Sequence, residues 1–207
     1  MKKLMIIAGI LTLNLSTYAQ KKLVKDIDLD GKMDTVYLDE HDHKITCRLS
    51  TQNFKKIKSK KIETAGDNTL IEPKKTGFEM NTNWMRSGYA CQFRYEKNEK
   101  RIRLIGVSEY ALGSATNDGS GEASINLLTG EYVSNWHYFD HLANNEKGML
   151  VKIPTIKAKM QFKKIYLEDF DEEQYHSISE KFSALVERNK NLEVKRREEH
   201  RANQTDD

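Results

Sequence analysis

Alternating apolar and polar residues run through most of the chain between residues 34 and 162, and this period of two predicts β-strands. The clearest pair comprises residues 88–96 and 101–110, which are joined by the short polar segment 97–100. A connection of this kind predicts a hairpin. Within the second strand the alternation slips at residues 104–106, which predicts a β-bulge.

Further strands are predicted on both sides of this hairpin. Residues 53–63 are rich in lysine and are expected at a sheet edge, where charge prevents pairing with other chains. A turn is predicted at 64–69 and an interruption at 73–77. The other predicted strands cover residues 34–39, 44–50, 78–81, 122–128, 131–138 and 149–162, the last of them broken by Pro154. Together they predict one mainly antiparallel β domain of about eight to ten strands.

The period of the apolar residues changes near the C-terminus. Asp169 and Glu172 have the spacing of an N-terminal capping box, with aspartate in the Ser/Thr position. Apolar side chains then recur at helical spacing, at Tyr175, Ile178, Phe182 and Leu185. We therefore predict a C-terminal α-helix over residues 169–190. The charged segment 191–207 is predicted to be disordered, because it offers little apolar surface to bury.

Residues 1–19 have the pattern of a secretory signal peptide. Two lysines precede an apolar run over residues 4–15, and small residues occupy positions −3 and −1 of a cleavage site that ends at Ala19. The run is shorter than the roughly 20 apolar residues of a membrane-spanning helix. We predict cleavage after Ala19, a mature chain in the periplasm or outside the cell, and no stable membrane insertion. The β domain then covers residues 20–168.

The charge of this mature chain is close to neutral. Removing Lys2 and Lys3 lowers the number of basic residues from 34 to 32, against 31 acidic ones. Proteins that bind nucleic acids concentrate positive charge on one face. The composition gives no such excess, and we expect no nucleic-acid partner.

An acidic loop near the mature N-terminus is the strongest candidate for a metal site. Aspartates occupy its first, third, fifth and ninth positions: Asp26, Asp28, Asp30 and Asp34. Gly31 at the sixth position permits the sharp turn that brings them together. Oxygen ligands in this spacing surround a hard cation such as Ca²⁺, whose charge relieves their mutual repulsion. The alternative is an Asp-rich turn that caps the following strand without a metal.

The loop resembles the D-x-D-x-D-G-x-x-D calcium loop of FG-GAP and VCBS-type repeats. In those families aspartate side chains and one backbone carbonyl bind Ca²⁺, and by position the carbonyl would be that of Lys32. An EF-hand is not indicated, because its twelfth position is Tyr37 instead of glutamate. The motif occurs once, whereas a propeller repeats it in every blade. The order of loop and strands is also similar to that of small exported bacterial proteins of unknown function. The resemblance implies a compact β fold with a structural calcium ion and supplies no activity.

Two cysteines lie on the inward faces of predicted strands. Cys47 and Cys91 each alternate with polar neighbours, which directs both side chains towards the core. Exported proteins permit disulfides. A bridge between the two and a pair of unpaired buried thiols fit the pattern equally well, because the sequence does not give the separation that decides between them.

Other chemistry-bearing residues give weaker signals. His41 and His43 could belong to a transition-metal site, but a solvated turn is favoured because no third ligand can be named. His137 and His141 lack the glutamate of a helical zinc motif. Glu109 and Asp118 could form an acid pair across a cleft. For this pair we favour surface carboxylates.

The leading functional interpretation is a non-enzymatic, exported binding or structural module of the cell envelope, with Ca²⁺ stabilising the N-terminal loop. Its partner would be an unidentified protein or glycan. Exposed aromatic residues are the expected contacts, namely Trp84, Trp136, Tyr138 and Phe139. One alternative is a small hydrolase acting on envelope material, which requires a cleft with convergent polar groups. Another is a periplasmic inhibitor or immunity-type protein.

Overall fold

A computed structural model describes residues 22–205 of the protein, with side chains up to Asn203. The predicted signal peptide lies outside the described residues. Within them are twelve β-strands followed by one long helix, α1 (Glu172–Thr205). The strands are β1 (Lys22–Lys25), β2 (Asp34–Asp39), β3 (Lys44–Arg48), β4 (Lys56–Lys58), β5 (Thr69–Pro73), β6 (Phe78–Asn83), β7 (Ser87–Glu96), β8 (Arg101–Leu112), β9 (Ser120–Asn126), β10 (Glu131–Asp140), β11 (Met149–Lys152) and β12 (Ile156–Lys159).

The strands form two antiparallel sheets. The first sheet has the order β1-β2-β3-β4, and the second has the order β11-β10-β9-β8-β7-β6-β5. Strand β12 pairs with the first part of β10, residues 131–134, and β11 pairs with the last part of β10, residues 137–140. Most neighbours are consecutive in the chain, as expected when short turns join antiparallel strands. The predicted fold class, mainly antiparallel β with a C-terminal α-helix, is confirmed.

One hydrophobic core joins the two sheets and the helix. Val36, Ile45 and Cys47 contribute from the first sheet, and each is fully buried. Phe93 from β7 stacks near Phe78, at 5.2 Å between ring centroids, and meets the edge of another aromatic ring just before α1. A fully buried side chain of this size contributes about 1.5–3 kcal/mol of transfer free energy. The first sheet is therefore held by the same core as the second.

The clear alternation in the central hairpin predicted its details correctly. Phe93 pairs with Leu104 while Gln92 pairs with Gly106, so Ile105 is the extra residue of the predicted bulge. The lysine-rich segment forms β4, which is an edge strand as expected. Strands β1 and β5 were not predicted, and the twelve strands exceed the expected eight to ten.

The C-terminal helix differs from its prediction at both ends. Its N-terminal cap is Asp171, whose Oδ1 accepts the backbone N–H of Gln174 at 3.0 Å. Asp169 instead ends a short 3-10 turn, so the predicted capping box is wrong. The helix also continues to Thr205, through most of the segment predicted to be disordered. Arg197 and Arg201 anchor that segment by hydrogen bonds to Asp140.

Candidate functional site

The acidic loop connects β1 to β2 and packs against the 3-10 turn Ser50–Gln52. Because β1 and β2 are antiparallel neighbours, the two ends of the loop meet. Asp34 is fully buried at the start of β2. Its Oδ2 accepts the backbone N–H groups of Ile27 (2.7 Å) and Asp28 (3.2 Å), and its Oδ1 accepts that of Ser50 (2.7 Å). Asp34 therefore fastens both the loop and the 3-10 turn to the first sheet.

Asp26 and Asp28 complete a cluster with Asp34. The carboxylate of Asp26 accepts the backbone N–H of Asp30 at 3.1 Å and that of Gly31 at 2.9 Å. Gly31 has φ +89°, a conformation that glycine adopts without strain. Asp28 is only 2% exposed, and its Oδ2 accepts the hydroxyl of Thr51 at 2.5 Å. Its Oδ1 is buried and has no hydrogen-bond partner among the described residues.

The aspartate cluster brings three possible metal ligands together. One carboxylate oxygen from each of Asp26, Asp28 and Asp34 lies within 4.8 Å of the other two. Carboxylate oxygens are the ligands that hard cations such as Ca²⁺ take in proteins. The three carboxylates can therefore hold a metal ion.

Asp30 and Lys32, the other two predicted ligand residues, have different surroundings. The side chain of Asp30 accepts the Ser50 hydroxyl at 2.7 Å and the Lys32 backbone N–H at 2.8 Å. The hydrogen bond from Ser50, followed by that from Lys32, lowers the pKa of Asp30. Asp30 is not one of the three grouped carboxylates. The ligand roles of Asp30 and of the Lys32 carbonyl stay predictions.

The histidines do not extend this site. His41 is exposed and lies beside Asp42, whereas the Nδ1 of His43 is 2.6 Å from the carbonyl oxygen of Ala65. The segment containing His137 belongs to strand β10, which excludes a helical zinc motif there. Within residues 22–203, the aspartate cluster is the one group of three or more acidic, histidine or cysteine side chains with metal-site spacing.

Both cysteines are buried in the core and unbridged. Cys47 lies on β3 and Cys91 on β7, each on the inward face that alternation predicted. The structure thus selects the two unpaired buried thiols over the disulfide. Burial raises the pKa of both thiols, which disfavours the reactive thiolate.

Glu109 and Asp118 line one pocket between the second sheet and α1. We call it the helix–sheet pocket, with a volume of about 280 Å³. Its other principal side chains are Trp136 and Tyr138 from β10 and Ser183, Glu187 and Lys190 from α1. Asp118 is exposed at its mouth, but Glu109 is half-buried below the helix. The surface interpretation is therefore wrong for Glu109.

The carboxylate of Glu109 is both hydrogen-bonded and largely removed from solvent. Its Oε2 accepts the hydroxyl of Ser179 at 2.7 Å and that of Tyr175 at 3.3 Å. Burial outweighs these hydrogen bonds and raises the pKa of Glu109 above its ordinary value. The sequence held a signal for this position, because Val107, Glu109 and Ala111 share one face of β8 and Val107 is in the core.

The aromatic residues expected on the surface are mostly not there. Trp84 is 42% exposed and remains available to a partner. Tyr138 is only 4% exposed, and Trp136 and Phe139 are half-buried. These three residues of β10 pack against the fold instead of forming an exposed aromatic patch.

Comparison of the chain with protein-family models, with curated proteins and with solved structures finds no match. Among residues 22–205, no helix has both the length and the apolar character needed to cross a bilayer. The function must therefore be inferred from the side chains themselves.

Proposed function

We propose that the protein is an exported, non-enzymatic binding or structural module of the cell envelope whose N-terminal loop is stabilised by Ca²⁺. The observation that carries the proposal is the Oδ1 of Asp28, a buried carboxylate oxygen without a partner among the described residues, at a cluster of three aspartates. A buried, unpaired oxygen of a charged group is costly. A divalent cation supplies its missing partner.

The cation's role in this proposal is to secure the fold. The cluster joins the loop to β2 through Asp34 and to the Ser50–Gln52 turn through Asp28 and Asp34. Binding would neutralise the repulsion between three close carboxylates and hold these segments together. The hydrogen bonds of the cluster go to the loop itself and to the Ser50–Gln52 turn. A structural role for the ion follows.

Thermal melting of the chain from Gln20 onward, in calcium and in chelator, tests the calcium site. A ligand that binds only the folded state adds about 2.7 kcal/mol at a hundredfold excess over its Kd. We expect a clear rise in the melting temperature with Ca²⁺ and a smaller one with Mg²⁺, because Mg²⁺ demands near-ideal octahedral geometry and gives up its water ligands reluctantly. Asp28→Asn should remove the rise.

The control for this experiment is Glu122→Gln, an equal change of charge at an exposed position of β9. It should respond to calcium as the wild type does. Equal melting temperatures in calcium and chelator for the wild type would reject the calcium site. An unchanged calcium response in Asp28→Asn would show that calcium does not bind at the aspartate cluster.

One observation favours a second candidate, a small hydrolase acting on envelope material. Glu109, whose pKa is raised chiefly by burial, shares a pocket with the carboxylate of Asp118. A carboxyl group with a raised pKa in a cleft that also holds a second carboxylate is a candidate for general acid catalysis. Product release from isolated envelope polysaccharide, abolished by Glu109→Gln, would support the hydrolase. If the wild type releases no product, the hydrolase is rejected and the binding module remains the proposed function.

A further inference from the structure

The outer face of the second sheet, which points away from α1, carries a trough that runs across five strands. Ala90, Ser108 and Ser124 are paired side by side on β7, β8 and β9 and form its floor. Asn81 on β6 and Val133 on β10 continue the same row at its two ends. Because the floor residues are short and their neighbours are longer, a pocket of about 320 Å³ lies above the row. We call it the sheet trough.

Tyr110 gives the sheet trough a flat aromatic wall. Its hydroxyl donates to Oδ1 of Asn83 at 3.2 Å, and a Cβ added to Gly88 would lie 2.7 Å from its ring. The absence of a side chain at residue 88 therefore lets the ring lie across β7, which pairs with β8 at this point. Tyr110 remains 37% exposed. A ring held in this way offers a ligand a fixed apolar surface.

Three asparagines along the sheet trough each have one end of the side-chain amide held by the chain. Nδ2 of Asn81 donates to a glutamate of β5 at 2.7 Å. Oδ1 of Asn83 accepts the hydroxyl of Tyr110, and Oδ1 of Asn135 accepts that of Thr155 at 2.7 Å. The other ends, one C=O and two NH₂ groups, have no partner among the described residues. These groups are oriented before a ligand arrives, which lowers the entropic cost of binding.

The charges around the sheet trough favour a neutral ligand. Among the described residues, no lysine or arginine lines it, so an anionic ligand would meet no opposite charge. Glu79 is paired with Lys74 at 2.6 Å, and the carboxylate of Glu109 accepts the hydroxyl of Ser179 below the helix. Glu122 is exposed at the rim. One exposed carboxylate contributes little to the binding of a cation.

We propose that the sheet trough binds a neutral oligosaccharide. A hydroxyl group both donates and accepts hydrogen bonds, so a sugar matches a surface that mixes amide N–H, amide C=O and serine hydroxyl groups. The C–H face of a sugar ring is apolar and packs against the ring of Tyr110. A volume of about 320 Å³ holds about one or two sugar rings. The inference rests on the binding role proposed above, for which it names a glycan as the partner, but it does not depend on calcium.

Nuclear magnetic resonance tests the proposal, because each asparagine side chain gives its own pair of N–H signals. The probes are three neutral trisaccharides: maltotriose, cellotriose and triacetylchitotriose. At least one of them should shift the side-chain signals of Asn83 and Asn135 together with the backbone signals of residues 88–92 and 106–110. We expect a Kd on the order of 1 mM. Trigalacturonic acid, which carries a carboxylate on every ring, should bind at least roughly tenfold more weakly.

Two pairs of variants locate the binding. Ser108→Gln places a long side chain on the floor and should weaken binding by at least roughly tenfold. Ser177→Gln makes the same change at an exposed position of α1 and should bind as the wild type does. Tyr110→Ala removes the aromatic wall and should also weaken binding roughly tenfold, whereas Tyr110→Phe keeps the ring and should retain most of it. All four variants should keep the signal dispersion of a folded chain, which separates lost binding from lost folding.

Four outcomes would overturn the inference. The first three are no shift of the trough signals with any neutral trisaccharide, binding of trigalacturonic acid as tight as that of the neutral probes, and equal binding by wild type and Ser108→Gln. The fourth is a wild type that sediments as a dimer and that Ser108→Gln converts to a monomer, which would mean that a second copy of the chain occupies the trough.

Two of the variants distinguish failure of this inference from failure of the calcium site. Asp28→Asn should lose the calcium response and still bind the trisaccharide. Ser108→Gln should lose the trisaccharide and still melt at a higher temperature in calcium than in chelator.

Discussion

The acidic loop and the helix–sheet pocket both bury polar atoms, but they satisfy them to different degrees. In the loop, Asp34 alone accepts three backbone N–H groups, and the remaining aspartates accept further ones. On β10, beside the pocket, the Trp136 indole N–H and the Tyr138 hydroxyl are buried and have no partner among the described residues. Polar groups satisfied within the chain stabilise its fold, whereas a buried group without a partner costs free energy that the rest of the core must offset. The single exception in the loop, Oδ1 of Asp28, is where we place the cation.

The largest effect expected from this contrast is that of Asp34→Ala. The change leaves three backbone donors without their acceptor at a fully buried position. We expect a loss of about 3–6 kcal/mol in the free energy of unfolding, measured by urea denaturation in chelator. Asp30→Ala, at an exposed position of the same loop, should cause a much smaller loss. Equal losses would contradict the role given to Asp34.

Asp140 extends the comparison, because it is a buried carboxylate satisfied by two arginine side chains as well as by the backbone N–H of Leu142. Burial opposes its ionisation, but Arg201 and Arg197, at 2.8 and 3.0 Å, outweigh burial and lower the pKa of Asp140. Asp140→Asn should cost about 1–2 kcal/mol. It should also speed hydrogen exchange over residues 195–205.

The control for this prediction is Glu199→Gln, which removes only an exposed pair with Lys195 on the same helix. It should leave exchange in that segment unchanged. If hydrogen exchange in Asp140→Asn is as slow as in the wild type, the stability of the end of α1 does not depend on the arginine contacts. The stabilising contribution of Asp140 is present above pH 3.8 and is lost as the pH falls through the lowered pKa.

A pair of conservative substitutions compares the two regions directly. Thr51→Val removes a 2.5 Å hydrogen bond to the buried Asp28 and should cost about 1 kcal/mol. Tyr138→Phe removes a hydroxyl that has no partner within the described chain, so its effect should lie within about 0.5 kcal/mol of zero. Urea denaturation of both variants in chelator gives the two values. A larger loss for Tyr138→Phe than for Thr51→Val would reverse the comparison.

The smallest effect depends on pH and concerns Glu109. Burial raises its pKa in the folded state above 4.5, so between the unfolded and folded pKa values the native chain binds more protons. Stability therefore falls as the pH rises through that window. Glu109→Gln removes this loss, and its stability relative to the wild type should increase as the pH rises above 4.5. A variant that is less stable than the wild type at neutral pH would show that Glu109 serves the fold.

Local patterns in the sequence were sufficient for much of the fold. Alternation around Cys91 and its slip near Ile105 predicted β7, β8 and the bulge between them. Strand β5 was missed because it lies between a turn sequence and Pro73, and Pro73 is tolerated there at the end of an edge strand. The end of α1 was missed because its anchor, Asp140, lies 57 and 61 residues before Arg197 and Arg201.

The acidic loop and the helix–sheet pocket also differ in how far the sequence predicted them. The acidic loop is contiguous, so its spacing alone indicated a cation and named the three grouped aspartates among the candidates. Its contacts with Ser50 and Thr51 required the structure. The helix–sheet pocket is assembled from β8, β10 and α1. Only the inward position of Glu109 on β8 could have indicated it in advance.

The most direct test of the calcium proposal is a crystal structure of the chain from Gln20 onward, grown in calcium chloride. We predict an ion bound by Asp26, Asp28 and Asp34, with Oδ1 of Asp28 at 2.3–2.6 Å as for other Ca–O bonds. An Asp28 Oδ1 that meets only water or another group of the chain, with no ion at the cluster, would contradict the proposal.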